Sequence, residues 1–489
     1  MLKSVDLKKC KISTLVIPVC EDQKIHNIKS IISLIELGKE KQEFQGKKEE
    51  KIVLYNPPNI KAERVVFMGL GKLSQIDLEK LRIFAGNAVK YCIKAGLKEV
   101  LIAAPLANAL PLETENRLTA LFEGAFLGNH IFDKYKKEKK APLKKIEVLA
   151  GAGTAKKYNN LSHQIEIICK GTVLAREWVS TPSNDKKPAV FANGIISLAK
   201  KAGLKTTLLD EKFLQVNKFG GILAVAAGSN ARPRMVILEY KAKNAEKTVA
   251  LVGKGVTFDS GGINLKSADG LTGMKMDMSG AATVAGAMIA LGKLKPKINI
   301  IGVMPLVENM PSGKAIRPGD IIKSWAGQSV EIGNTDAEGR LILADALAYV
   351  IKEYKPQAVI DLATLTGACV VALGEKIAGV FGSDNNLTDL IIKSGKKTHE
   401  RCWPMPMPDD YKELLKSDFA DLCNMSSSRW GGAITAALFL ADFVKNTPWA
   451  HIDIAGPAYI KKADAYCEPG GTGFGVRLLC DLIQKMQEI

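Results

Sequence analysis

The sequence predicts an α/β fold of two domains, each a largely parallel or mixed sheet flanked by helices. Three observations carry this. Short apolar runs of strand length alternate with longer segments of helical periodicity along the chain. Such alternation implies βαβ units and mostly parallel strands. The series then restarts with a helix around His163, which places a division at residues 1–165 and 166–489. Finally, 489 residues with 47% hydrophobic and 24% charged side chains are enough for two ordinary globular cores.

In the first domain "STLVIPV" (13–19) and "RVVFMGLG" (64–71) read as strands, and Leu78 to Gly96 as a helix. "EVLIAAPL" (99–106) is the next strand, followed by one long helix from Asn116 that ends in the basic run at 134–140, and "KKIEVLAGAG" (144–153) adds another strand. "GLGK" at 69–72 lacks the third glycine of a dinucleotide fingerprint. The second domain opens on a helix from His163 that Thr181-Pro182 stops. Strands are then expected at 206–210, 221–229, 235–241, 248–255, 298–307, 358–367 and 450–456, with helices between several of them.

The apolar run Ile12–Val19 is short and no small-residue cleavage site follows, so it reads as a first strand and not as a signal peptide. No apolar run approaches the length that crosses a bilayer. Nine cysteines, an odd number without any C-x-x-C spacing, suggest neither a disulfide framework nor a zinc ribbon and fit a reducing cytoplasm. The net charge of +17 is concentrated early: residues 1–150 hold 27 Lys+Arg against 18 Asp+Glu, and the remainder 41 against 33. That excess fits a solvated lysine surface, or attraction to nucleic acid.

Chemistry collects in three segments. "VGKGVTFDSGGINLKSADGLTGMKMDMSG" (252–280) carries Lys254, Asp259, Lys266 and Asp277 after a strand. "NTDAEGRL" (334–341) puts Asp336, Glu338 and Arg340 at the entry to an apolar helix, either as an acidic first turn or as a site. "DLATLTG" (361–367) is a strand end opening into a small-residue loop. Open α/β sheets bind ligands at the carboxyl ends of strands, so the three could share a crevice. Gly253-Lys254 lacks the upstream glycine of a P-loop, no G-x-S-x-G occurs, and the five histidines never form H-E-x-x-H. A carboxylate-lined metal site survives these exclusions. Asp259, Asp277, Asp336 and Glu338 ionised together would need cations between them. Two divalent ions about 3.5–4 Å apart would meet that need and are a device for hydrolysis.

"VGKGVTFDSGG", "MKMDMSGAA" and above all "NTDAEGRLILADAL" resemble the leucyl aminopeptidase family, dinuclear metallo-exopeptidases with the octapeptide N-T-D-A-E-G-R-L. All eight positions match, and the likeness runs through "DLATLTGA", "HIDIAGPA" and "GGTGFGVRLL"; in the first third its clearest echo is "EGAFLGNHIFDKYK". The resemblance implies metal ligands at Lys254, Asp259, Asp277, Asp336 and Glu338, with Asp259 and Glu338 bridging both ions. It implies catalytic roles for Lys266 and Arg340, the latter holding a bicarbonate, and a side-chain pocket at Met274, Thr364, Gly367 and Ala455, with Ala458 its last position. The implied activity is removal of leucine-like residues from peptides with a free N-terminus, using Mn²⁺ or Zn²⁺, in a cytoplasmic homohexamer with no membrane association. Two rivals accompany it: a dipeptidase acting on Cys-Gly, and a DNA-binding regulator, since some bacterial members bind DNA. Outside the motifs, His451 reads as a core histidine, and the glycines of "GGTGFG" (470–475) as tight backbone packing.

Overall fold

A computed structural model describes residues 1–41, 43–106 and 108–488. They form two compact units, Met1–Cys169 with Lys462–Glu468, and Lys170–Lys461 with Pro469–Ile489. No helix among the described residues is long and apolar enough to cross a membrane.

The first unit contains β1 (Leu2–Lys3), β2 (Ile12–Cys20), α1 (Lys29–Glu40), β3 (Lys51–Tyr55), β4 (Ala62–Gly71) and α2 (Leu78–Lys94). It continues with β5 (Glu99–Ala103), α3 (Thr114–Gly128), β6 (Lys145–Leu149) and α4 (Ala152–Lys157). The strands form one sheet in the order β1-β6-β5-β2-β4-β3. All neighbours are parallel except the edge pair β3 and β4. β2 is central because both its faces are apolar: Leu15, Val16, Ile17 and Val19 are all buried. Asp77 starts α2 by accepting the Lys80 N–H at 2.8 Å.

The helix expected to run from Asn116 into the basic run stops at Gly128 instead. The Asn129 side chain explains the stop. Its Nδ2 donates to the Leu143 carbonyl at 3.0 Å and its Oδ1 accepts the Leu143 N–H at 2.7 Å, folding residues 130–142 into a turn. Five closely spaced lysines would also repel one another along a continued helix.

Helix α5 (Leu161–Ser180) leads into the second unit and ends, as expected, before Pro182. There follow α6 (Pro188–Lys201), β7 (Lys205–Leu209), α7 (Glu211–Val216), α8 (Gly220–Ala226), β8 (Arg234–Tyr240), β9 (Thr248–Gly253) and β10 (Gly255–Asp259). Next come α9 (Ala268–Leu271), α10 (Ser279–Leu294), β11 (Asn299–Asn309), β12 (Ile321–Lys323), β13 (Ser329–Glu331), α11 (Glu338–Tyr354) and β14 (Ala358–Ala363). The chain closes with α12 (Gly367–Leu373), β15 (Ala378–Gly382), α13 (Asn385–Thr398), β16 (Cys402–Pro404), β17 (Leu422–Cys423), α14 (Gly432–Val444), β18 (Trp449–Asp453) and α15 (Val476–Met486). The main sheet is mixed, in the order β16-β15-β18-β14-β9-β11-β8-β7, with β10 beside β11. Its centre, β18-β14-β9-β11, is parallel, so these carboxyl ends gather on one edge.

One expected strand, 221–229, is mostly the helix α8. A short apolar run fits either element, and the tertiary context decides: the Ile222 N–H is taken by Asp345 Oδ2 on α11 at 3.0 Å. The loop expected after β9 is instead a second strand, β10, so Lys254 occupies the single residue between the two. The glycines of 470–475 are packing positions. A Cβ at Gly473 would lie 2.6 Å from the Thr172 carbonyl oxygen, at a φ of +69° that already favours glycine.

Candidate active site

The parallel centre of the sheet delivers the predicted residues to one place. Lys254 is fixed at the end of β9, where its N–H donates to the Leu362 carbonyl of β14 at 3.0 Å and its carbonyl accepts the Ala281 N–H at 2.8 Å. Asp259 ends β10, Lys266 follows in the loop, and Asp277 lies just before α10. Asp336 and Glu338 stand at the start of α11, whose N-cap is Ala337 with no side-chain cap. The acids are therefore not used to cap the helix.

Two lysines thread between four acids. The Lys254 ammonium lies 2.9 Å from Asp277 Oδ2 and 2.8 Å from Glu338 Oε1, and donates to the Thr364 carbonyl at 2.9 Å. The Lys266 ammonium lies 2.8 Å from Asp259 Oδ2 and pairs also with Asp336 Oδ1. One oxygen from each of Asp259, Asp336 and Glu338 falls within 4.8 Å of the others. Lys254, Asp259, Asp277 and Glu338 are all buried.

Four carboxylates against two ammonium groups leave the cluster short of positive charge. Burial, then the neighbouring Asp259, push Glu338 up to about 8. Asp277 is raised to about 6, chiefly by burial and against the pull of Lys254. Asp336 shifts the same way, for burial and for Asp259. Burial opposes charge on both lysines, yet the surrounding acids hold Lys254 and Lys266 above the ordinary lysine value. Asp277 Oδ2, Asp336 Oδ1 and Glu338 Oε1 are buried oxygens whose partners among the described residues are these two ammonium groups. Carboxylate oxygens of Asp259, Asp336 and Glu338 that converge within 4.8 Å, with Asp277 adjoining through Lys254, are an oxygen-rich donor set, which fits divalent cations.

Around this cluster the structure supplies positioning residues that the sequence reading passed over. Asn309, at the end of β11, donates to Asp259 Oδ1 at 2.8 Å and to the Thr335 carbonyl at 3.0 Å. Asn424, fully buried after β17, accepts the Gly333 N–H at 2.8 Å and donates to the Asn334 carbonyl at 2.8 Å, holding the loop that carries the octapeptide. Asp453 at the end of β18 accepts from Leu365 N, Ala455 N and Thr366 Oγ1, at 3.1, 3.1 and 2.7 Å. It thereby ties together the loops that follow β14 and β18. Neither asparagine sits at a recognisable spacing. Asp453 could have been found, because it is a carboxylate at the end of a parallel strand.

Arg340 Nη1 donates to the Asn424 carbonyl at 2.8 Å, while its Nε has no hydrogen-bond partner among the described residues. Burial brings its guanidinium down to about 10, which still leaves it charged at neutral pH. Thr364 Oγ1 donates to Asp277 Oδ1 at 2.7 Å. Met274 lies in the 3-10 turn before Asp277, and Gly367 opens α12 with unfilled space where a Cβ would project. Ala455 is half-buried and Ala458 buried. His451 stays inside the sheet, with its Nδ1 2.6 Å from Asp361 Oδ1.

Residues 173–480 match the model of the cytosol aminopeptidase family, catalytic domain, and residues 21–139 that of the family's N-terminal domain. The chain belongs to the cytosol aminopeptidase family. A "Probable cytosol aminopeptidase" of Geobacter sp. (strain M21) is 42% identical over 450 residues, covering 91% of this chain and 90% of the relative. One from Clostridium perfringens (strain 13 / Type A) is 38% identical, with 98% of each chain covered. Among solved structures, the bottromycin maturation enzyme BotP in complex with Mn superposes with a TM-score of 0.88 at 32% identity, covering 97% of this chain and 99% of that one. A variant of tomato leucine aminopeptidase gives a TM-score of 0.87 at 31% identity, covering 99% and 96%. The chain is an aminopeptidase, a hydrolase of this family.

As an aminopeptidase of this construction it has one particularly sensitive glycine. A Cβ at Gly339 would lie 2.7–2.9 Å from Cδ, Cε and Nζ of Lys254. Gly339→Ala should therefore push the Lys254 amine away from Asp277 and Glu338. The expected result is a kcat/KM reduced on the order of 10²-fold with the fold retained and a lower Tm. Kinetics and thermal unfolding on the same preparation check this.

Proposed function

We propose that this aminopeptidase is metal-dependent and removes leucine-like residues from peptides with a free N-terminus. The observation that carries the reading is the convergence of Asp259, Asp336 and Glu338 within 4.8 Å, with Asp277 and Lys254 adjoining. These five residues would hold two divalent ions, Mn²⁺ or Zn²⁺. When bound, such ions supply Lewis-acid polarisation of a carbonyl and a water acidic enough to act at neutral pH.

The chain's own groups do the rest. Lys266 offers an ammonium, partly open to solvent, to the oxygen that gains charge as the peptide carbonyl becomes tetrahedral. Arg340 keeps its charge, and its unpartnered Nε supports a bicarbonate beside it as a proton carrier. Met274, Thr364, Gly367 and Ala455 would receive the first side chain, and the open space at Gly367 supports a branched one. Cys-Gly hydrolysis would use the same machinery with a smaller side chain. A cytoplasmic homohexamer, inferred from family likeness, belongs to this reading; light scattering tests the assembly.

The substrate's α-amine is the group that the acids select. Leucyl-p-nitroanilide should be hydrolysed and its N-acetyl derivative should not, by at least about 10³-fold in kcat/KM. Comparable turnover of the two would end the exopeptidase assignment. Dialysis against a chelator should abolish activity, and added Mn²⁺ or Zn²⁺ should restore it and raise Tm. Full activity in chelated protein, verified metal-free by elemental analysis, would refute metal dependence.

A further inference from the structure

The sheet of the first unit contains a switch in chain direction. From β2 the chain passes by way of α1 and β3 to β4 on one side, while from β5 it passes by way of α3 to β6 on the other, yet β2 and β5 are parallel neighbours. Crevices outside the carboxyl ends of such a pair are where open α/β sheets bind ligands. Here the crevice is a cavity of about 280 Å³, formed by the loops after β1, β2, β5 and β6 and by the first turns of α3. Its walls are tied to one another: Ala104 N donates to the Leu149 carbonyl at 2.9 Å, Leu106 N to Ile25 at 3.0 Å and Ala150 N to Lys3 at 2.9 Å. The cavity is thus braced without any ligand contribution.

We propose that this cavity is a second binding site, for a small organic anion: a carboxylate or phosphate carried on a compact, partly apolar body. Arg117 of α3 lines it and is only 3% exposed. Its Nη1 donates to the Leu106 carbonyl and its Nη2 to Thr114 Oγ1 at 2.8 Å, but its Nε has no hydrogen-bond partner. No carboxylate lies within ion-pair distance of it among the described residues. A guanidinium cannot shed its proton to escape burial, so a buried charge with no carboxylate beside it calls for an anion in the adjoining cavity. Ser4, Asn27 and Thr154 add polar groups to the wall, Leu118 and Leu149 add apolar surface, and among the described residues no acid lines the cavity. That last feature sets the specificity. An amino acid would bring an ammonium that finds no acid here, so the site discriminates against the products of the peptidase reaction and favours anions that lack a positive group.

The test is an equilibrium titration of the full-length protein with adenosine monophosphate and with 4-methyl-2-oxopentanoate. Saturable binding of either, with Kd below about 1 mM, is expected, and which one binds identifies the head group. Arg117→Gln should weaken that binding more than tenfold and leave peptidase activity unchanged. Because Arg117 is buried, Gly151→Trp provides a second variant. Gly151 lines the cavity, its φ is ordinary, and a Cβ there meets nothing within 4 Å, so bulk can enter without disturbing the backbone. It should block binding in the same way. Absence of binding by both anions would overturn the proposal. So would binding that survives both substitutions, or displacement of the bound anion by leucine at equal concentration.

Discussion

Asp336→Asn and Glu338→Gln are each expected to lose bound metal and to lower kcat/KM by more than about 10²-fold, with the fold intact. Both substitutions keep the size of the side chain and remove its charge. Neither acid caps α11, since the N-cap is Ala337 and makes no side-chain hydrogen bond, so little helix stability depends on them. Asp336 is also held by its backbone, whose N–H donates to Asn334 Oδ1 at 2.8 Å, and that bond survives the substitution. What each variant does lose is a carboxylate oxygen that faces an ammonium, Oδ1 beside Lys266 in one case and Oε1 beside Lys254 in the other. Elemental analysis gives the metal content, circular dichroism the fold, and thermal unfolding with and without Mn²⁺ separates the two. The wild type should gain Tm with metal and the variants should not. Full metal content in both variants would return these acids to the role of helix-entry charges.

The same helix entry shows what the sequence makes legible and what it leaves out. The octapeptide is local, so its acids and Arg340 stand out as a cluster from spacing, while the family resemblance is what singles them out as a site. Lys254, Asp259 and Asp277 are legible because a strand pattern precedes them and strand ends are where such sheets place ligands. Asn309 and Asn424 are different. Each acts on a segment distant in sequence, Asn309 on Asp259 and the Thr335 carbonyl, Asn424 on residues 333 and 334, and only the strand order brings them there. The two misread elements fail for related reasons. Residues 221–229 are an apolar run whose helical state depends on Asp345, more than a hundred residues away. The early stop of α3 depends on Asn129 finding the Leu143 backbone. In each case a side chain from elsewhere satisfies a backbone group, and local periodicity carries no trace of it.

The two lysines should respond in opposite ways to substitution, and the contrast tests the division of labour in the site. Lys254 is walled in by Gly339 and lies between Asp277 and Glu338, with its side chain 4% exposed. With only those acids around it the amine is held protonated; to act as a ligand it must be neutral, a state that adjacent cations favour. Arginine at this position stays charged, cannot donate a lone pair, and is too large for the space beside Gly339. Lys254→Arg is therefore expected to lower metal stoichiometry, with activity falling as a consequence. Lys266 bridges Asp259 and Asp336 from a more open position, with its side chain 18% exposed. Its value lies in a retained positive charge, so Lys266→Met should keep both metals. Its kcat should fall by roughly 10²–10³-fold, the usual cost of removing one oxyanion donor, with KM little changed. Metal stoichiometry measured on the two purified variants beside their kinetics decides the matter. If Lys266→Met sheds a metal while Lys254→Arg retains two, the roles are reversed, and the amine at the end of β9 is the group that faces the oxyanion.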